Sequence, residues 1–172
     1  IFRESKNYHQ LRFTSRPLVR LIQSEFPEIK KTLDTTIPEK MLKSPNEVVA
    51  SFLKGLFDAE GYVSGNRIGL GMNNKELVQQ VQMVLLRFSI ISSMQEYDNR
   101  ANKYSKNPRF TIEISEKKSL GLFEKHIGFT SHKKTAKLQE TIDSKSSKST
   151  CDYGEALDCG WKTCIYLFGQ GI

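Results

Sequence analysis

Two carboxylates close the stretch FLKGLFDAEGYV, residues 52 to 63, at the end of a helix that should repel them. The stretch opens as an apolar helix and finishes with Asp58, Glu60 and Gly61. A carboxylate at a helix C-terminus faces the partial negative charge of the last carbonyls, which disfavours it by about 0.3–1 kcal/mol. A divalent cation reverses that sign, because carboxylates and helix-end carbonyl oxygens are both hard ligands for Mg²⁺. Two such helices side by side would bring two acids together at one edge, an arrangement suited to metal-assisted hydrolysis of a phosphodiester.

The element that must position these acids spans residues 45–61, with Asn46 as the expected N-cap and Gly61 as the stop. At 3.6 residues per turn, Val48, Phe52, Gly55 and Ala59 share one face. Val49, Leu53, Leu56 and Phe57 lie on neighbouring faces, so the helix is apolar around most of its girth and is expected to be buried on two sides. Gly55 costs an exposed helix about 1 kcal/mol relative to alanine. Gly55 and Ala59, four apart, strip side-chain bulk from one face and would admit the backbone of a second helix.

Around this helix the chain alternates helix and strand. Residues 11–26 read as a short strand and then a helix opened by Ser15, with Pro17 in its first turn. Residues 37–45, with two prolines, read as a connector. Residues 62–72 read as two strands joined by Ser64-Gly65-Asn66, and residues 74–88 as an amphipathic helix. Two more strands are expected within 92–98 and 108–115, separated by a basic loop, before helices within 116–127 and 131–142. A faint repeat relates 9–22 to 108–123, each carrying Arg-Phe-Thr ahead of a helix. It divides the chain into residues 1–44, the tail of an upstream unit, and 45–143, one α+β repeat. Residues 144–172 form a Ser/Lys-rich linker and a tail to which the pattern assigns no role.

Composition narrows the partners. The 172 residues suffice for one domain with a real core, and 26 Lys and Arg against 19 Asp and Glu give a net charge of +7. That balance favours a polyanion, nucleic acid before membrane surface. No apolar run approaches the roughly 20 residues of a membrane helix, and the stretch IFRESKNYHQ, residues 1–10, lacks the apolar run of a secretory signal, as expected of a fragment or a processed product. Cys151, Cys159 and Cys164 form no C-x-x-C pair and lie far from any histidine, which argues against zinc and for free thiols in a reducing compartment. An intracellular location is expected: the cytoplasm or nucleoid of a prokaryote, or an organelle.

LKGLFDAEG, residues 53–61, resembles the LAGLIDADG motif of homing endonucleases, keeping Leu53, Gly55, Leu56, Asp58, Ala59 and Gly61. Phe57 and Glu60 are conservative replacements and Lys54 is a departure. The resemblance covers roughly residues 5–143 and is closest to the second repeat of intein-encoded or archaeal intron-encoded members. It implies an αββαββα repeat with an antiparallel sheet shaped as a DNA-binding saddle. It also implies Mg²⁺-dependent, site-specific cleavage of both DNA strands, with Mn²⁺ or Ca²⁺ able to occupy the same site. Carried over, Glu60 is the metal-binding acid, the Ala59 carbonyl a backbone ligand, and Asp58 a structural acid at the helix interface. GFTSHKKTAKL, residues 128–138, resembles the family's lysine stretch, which makes Lys133 or Lys134 the catalytic candidate. Asn73, with Asn74 beside it, falls at the place of a polar residue behind the metal, although capping of the next helix explains one of the two equally well.

On such a saddle, strand alternation would present Tyr62, Ser64, Asn66 and Arg67 to the major groove, with Gln95, Tyr97, Arg109 and Thr111 from the later strands. Arg67 is the expected guanine reader, and Arg100, Lys103 and Lys106 are expected to grip phosphates. One motif supplies one acid where the reaction uses two. The partner is therefore either an upstream repeat in a longer chain or a second copy in a homodimer. The competing reading is a protein of the same fold that binds without cutting, a DNA-binding regulator or an RNA maturase.

Overall fold

Ser15 opens the first helix: its Oγ accepts the Leu18 N–H at 3.5 Å, and Pro17 occupies the first turn. A computed structural model describes residues 14–30, 33–99, 101 and 107–146. The strand expected ahead of Ser15 and the tail after residue 146 lie outside the described residues. Within them the order is α1 (Arg16–Glu25), α2 (Glu39–Leu42), α3 (Asn46–Glu60), β1 (Gly61–Ser64) and β2 (Arg67–Met72). There follow α4 (Lys75–Leu86), β3 (Ser93–Tyr97), β4 (Arg109–Ile114), α5 (Lys117–His126) and α6 (His132–Ser146). The fold is α+β, and two helices close the repeat where the family pattern implies one.

The four strands form one antiparallel sheet in the order β1-β2-β4-β3. Gly65 makes the β1–β2 turn possible with φ +59°, a value most side chains resist. Alternation sends Val63, Ile68, Leu70, Ile112 and Ile114 to one face, where all are buried. The helices cover that face with Val49, Leu53 and Phe57 of α3, Leu77, Val78, Val81, Val84 and Leu85 of α4, and Leu120 and Phe123 of α5. From α6, Leu138 enters the core. Phe57 and Phe123 meet edge to face with centroids 4.9 Å apart, a favoured aromatic geometry.

The connector is a bound segment. Asn74, Gln80 and Arg87 hold it along α4. Asn74 Nδ2 donates to Thr35 O at 2.6 Å, and Gln80 Oε1 accepts the Ile37 N–H at 2.7 Å. Arg87 donates to Leu42 O and Ser44 O at 2.9 and 3.0 Å and to Asn46 Oδ1 at 2.8 Å. That last bond corrects the capping expectation: Pro45 occupies the N-cap of α3, and the Asn46 side chain is taken by Arg87 rather than by the helix. Asn74 does cap α4, its Oδ1 accepting the Leu77 N–H at 3.0 Å.

Within this chain the described residues cover α3 fully on one side only. Val49, Leu53 and Phe57 are buried, but Val48 is 42% exposed, Phe52 is half-buried, and Gly55 and Ala59 are exposed. A Cβ placed on Gly55 meets nothing within 4 Å. α1 is likewise uncovered among the described residues, with Val19, Leu21 and Ile22 all exposed.

Candidate acid–lysine centre and sheet face

Where α3 runs into β1, three residues converge on the helix end. Gly61 takes the corner with extended backbone, φ −82°, so it is not a left-handed cap. It must be glycine for a different reason: a Cβ there would lie 2.5 Å from the Phe57 carbonyl oxygen. Asp58 turns toward the loop between α5 and α6, where the Thr130 N–H donates to its Oδ1 at 3.0 Å and its Oδ2 at 3.1 Å. Lys134, in the first turn of α6, donates from Nζ to Phe57 O at 3.0 Å and to Asp58 O at 2.6 Å. The lysine thus caps α3, placing an ammonium against the negative pole of the helix.

Lys134 also sits 5.5 Å from the Phe129 ring centroid, within cation–π range. Burial pushes its ammonium below the usual lysine range, and the charges of Asp58 and Glu60 pull the other way without cancelling that effect. Lys133, one residue earlier, is exposed. The structure therefore brings one of the two candidate lysines to the acids and leaves the other outside. Helical spacing carried a signal for this: Lys134 stands four before buried Leu138 and seven before buried Thr141.

Glu60 is exposed, and among the described residues its carboxylate has no hydrogen-bond or ion-pair partner. Lys134 stops one carbonyl short of Ala59. The donor set at the corner is therefore a free carboxylate beside the end of a helix backbone, all hard oxygens, which suits Mg²⁺ in chemistry but supplies only part of its shell. Among the described residues no group of three or more His, Cys, Asp or Glu could enclose an ion. Asn73 follows β2 immediately, at the sheet edge where β1 begins, because Gly61 pairs with Leu70.

The outer face of the sheet gathers the expected DNA contacts. Register places Tyr62, Ser64, Arg67, Gln95, Tyr97, Arg109 and Thr111 all on it. Asn66 is not on a strand: β1 ends at Ser64, and Asn66 is exposed in the turn. Thr111 is 4% exposed and supports the face rather than presenting itself. Tyr97 OH donates to Gln95 Oε1 along the edge strand. Arg100, Lys103 and Lys106 lie outside the described residues. Sequence reading missed Glu113, which stands on this face in register with Gly69 and Ser93 and pairs with Arg67 at 2.9 Å. The alternation Arg109, Thr111, Glu113 carried the signal. Burial pushes the Tyr62 phenol up, and the Glu113 charge adds to the effect.

No helix among the described residues is long and apolar enough to cross a membrane. Residues 47–128 match the LAGLIDADG-like domain family. The chain is 36% identical over 140 residues to the glutamine–fructose-6-phosphate aminotransferase (isomerizing) of Methanocaldococcus jannaschii, covering 80% of this chain and 13% of that protein. The probable translation initiation factor IF-2 of the same organism is 37% identical over 127 residues, 73% of this chain and 11% of the relative. Its replication factor C small subunit is 32% identical over 113 residues, 66% of this chain and 6% of the relative. The chain thus spans about an eighth or less of these relatives. Motif, αββαββ order and domain match agree: residues 47–128 form a LAGLIDADG-like domain.

Proposed function

We propose that this chain is one repeat of a site-specific DNA endonuclease and that it cuts only when a second repeat supplies the other acid. The observation that carries this is the corner of α3, where Glu60 stands exposed without a hydrogen-bond or ion-pair partner among the described residues, Lys134 caps the Phe57 and Asp58 carbonyls, and the helix face of Val48, Gly55 and Ala59 is exposed. Glu60, with the Ala59 carbonyl, would hold the divalent ion. Mg²⁺ there, or Mn²⁺ or Ca²⁺ in its place, supplies charge neutralisation at the scissile phosphate and a more acidic bound water. Asp58, fixed by the Thr130 N–H, keeps the corner rigid. Lys134, its proton loosened by burial, stands near the acids to offer charge to the phosphate or accept a proton. The sheet face and the basic loop hold duplex DNA.

The face of Val48, Phe52, Gly55 and Ala59, exposed except for the half-buried Phe52, takes the matching helix of the second repeat, carried upstream in a longer chain or by a second copy. The relatives are named for an aminotransferase, a translation factor and a replication subunit, yet the same segment accounts for 13%, 11% and 6% of them. A segment shared by proteins of such different names reads as an insert with its own activity, an intein endonuclease. A binder that does not cut has no use for an exposed acid at a helix end, so Glu60 favours cleavage.

The test is Glu60→Gln in the full-length protein. Plasmid cleavage in Mg²⁺ should fall by about 10³-fold or more while duplex affinity stays within about tenfold. Cleavage at the wild-type rate would overturn the assignment.

A further inference from the structure

A carboxylate in the middle of a surface meant for a polyanion needs a reason. Glu113 stands there at 7% exposure, so its charge is held close to where phosphates and base edges would arrive. Its Oε2 accepts from Arg67 Nη1 at 2.9 Å, and the arginine side chain remains 47% exposed. The pair is therefore asymmetric: a sunken acid grips an arginine whose side chain is about half exposed. Arginine carries five N–H donors, so one committed to Glu113 leaves enough for the O6 and N7 acceptors of guanine.

The rest of the row makes the same use of the sheet. Gly69, in register with Tyr62 and Glu113, has no side chain because the Tyr62 ring fills the space; a Cβ there would lie 2.2 Å from the ring. Gly71 does this for Arg109, whose guanidinium would be 2.6 Å from a Cβ. Long side chains lie on glycine beds instead of waving in solvent, which removes ordering entropy from the cost of binding. A free surface arginine has no such constraint and serves as a phosphate contact in any orientation.

We propose that Glu113 is a positioning residue that fixes Arg67 as a guanine-reading side chain, trading overall DNA affinity for discrimination at one base pair. This rests on the DNA-binding reading above and adds to it a specific division of labour. Removing the acid should move two readouts in opposite directions. Affinity for random duplex should rise severalfold and its salt dependence steepen, because a like charge has left the surface. Preference for guanine at one position should fall about tenfold, because Arg67 loses its orientation.

The experiment selects binding sites from a pool of randomised duplexes with the full-length protein, its Glu113→Gln variant and its Arg67→Lys variant, and titrates random and selected duplexes at two salt concentrations. Arg67→Lys keeps a charge for Glu113 but lacks the two-pronged fork, and should lose the guanine at the same position. Parallel loss of both affinities in Glu113→Gln, or a gain in affinity with selectivity intact, would overturn the proposal. If Glu113→Gln does not fold, Arg67→Lys decides: an unchanged consensus overturns it. Wild-type protein that binds no duplex would instead fell the DNA reading, and this inference with it.

Discussion

On one side of α3, Val49, Leu53 and Phe57 are 2%, 0% and 0% exposed, packed on the sheet and on Phe123. On the other, Val48 is 42% exposed and Gly55 opens on empty space. Both sides are apolar, yet only the first is satisfied by the described residues. Apolar area left in water forgoes about 25 cal/mol per Å², which a surface helix avoids by placing charges there. α3 instead keeps Val48 in water and Phe52 and Leu56 only partly buried against the core, and places its small residues, Gly55 and Ala59, where a second backbone would need to come close. The two sides differ in partner, not in chemistry: one belongs to the fold and the other to assembly.

The sharpest way to break that contrast is to truncate one aromatic on each side. Phe57→Ala should cost about 3–5 kcal/mol of stability in the single chain through the cavity it leaves. Phe52→Ala should cost less, because that side chain is only half-buried against the edge of the core, yet weaken association with the second repeat. Urea melts of the separated chain and sedimentation of the assembled protein read the two effects. Equal losses of stability would mean that both sides are core.

The second contrast lies within α6, between Lys134 and Lys133. Lys134→Met removes the cap on Phe57 and Asp58 carbonyls together with the charge near Glu60, and cleavage should drop by about 10²-fold or more. Lys133→Met should stay within a few-fold. Because burial holds the Lys134 ammonium below the ordinary lysine value, an NMR titration should show it losing its proton at lower pH than a free lysine. The sign for stability follows. Between the folded and unfolded values the unfolded chain binds more protons, so this group makes stability rise with pH in that alkaline window and leaves a constant penalty below it. Equal losses of activity in the two variants would remove Lys134 from the centre.

These contrasts also mark how far the sequence could be read. The motif, the hairpin after Gly61 and the faces of β1, β2 and β4 follow from spacing alone, because periods of 3.6 and 2 decide which residues share a side. What spacing did not decide was settled by distant partners. Nothing local says that Arg87 would claim Asn46, 41 residues away, and displace its capping role. Nothing local says that Thr130 and Lys134 would come 72 and 76 residues back to the end of α3. Periodicity also told only that α3 was apolar all round, and it took the tertiary structure to show that Val48, Gly55 and Ala59 are left exposed within this chain. Glu113 was legible but overlooked, since a search for DNA contacts favours cations and passes over the acid that orients one.

Gly55→Ala gives the smallest effect and the cleanest separation of the two sides. In the separated chain its Cβ position is open, so Gly55→Ala should stabilise α3 by up to about 1 kcal/mol through helix propensity alone. In the assembled protein the same methyl stands between two backbones, and the sign should reverse: weaker association and slower cleavage. Gly55→Val enlarges the contrast. Its branched side chain should cost about 1–3 kcal/mol on assembly by overpacking and, by moving Glu60 an ångström or so, about 10²-fold in rate. Thermal melts before and after assembly, set beside cleavage assays, measure both terms. A Gly55→Ala protein that gains stability in both states and cuts at the wild-type rate would show that no backbone approaches this face, and the two-repeat centre would fall with it.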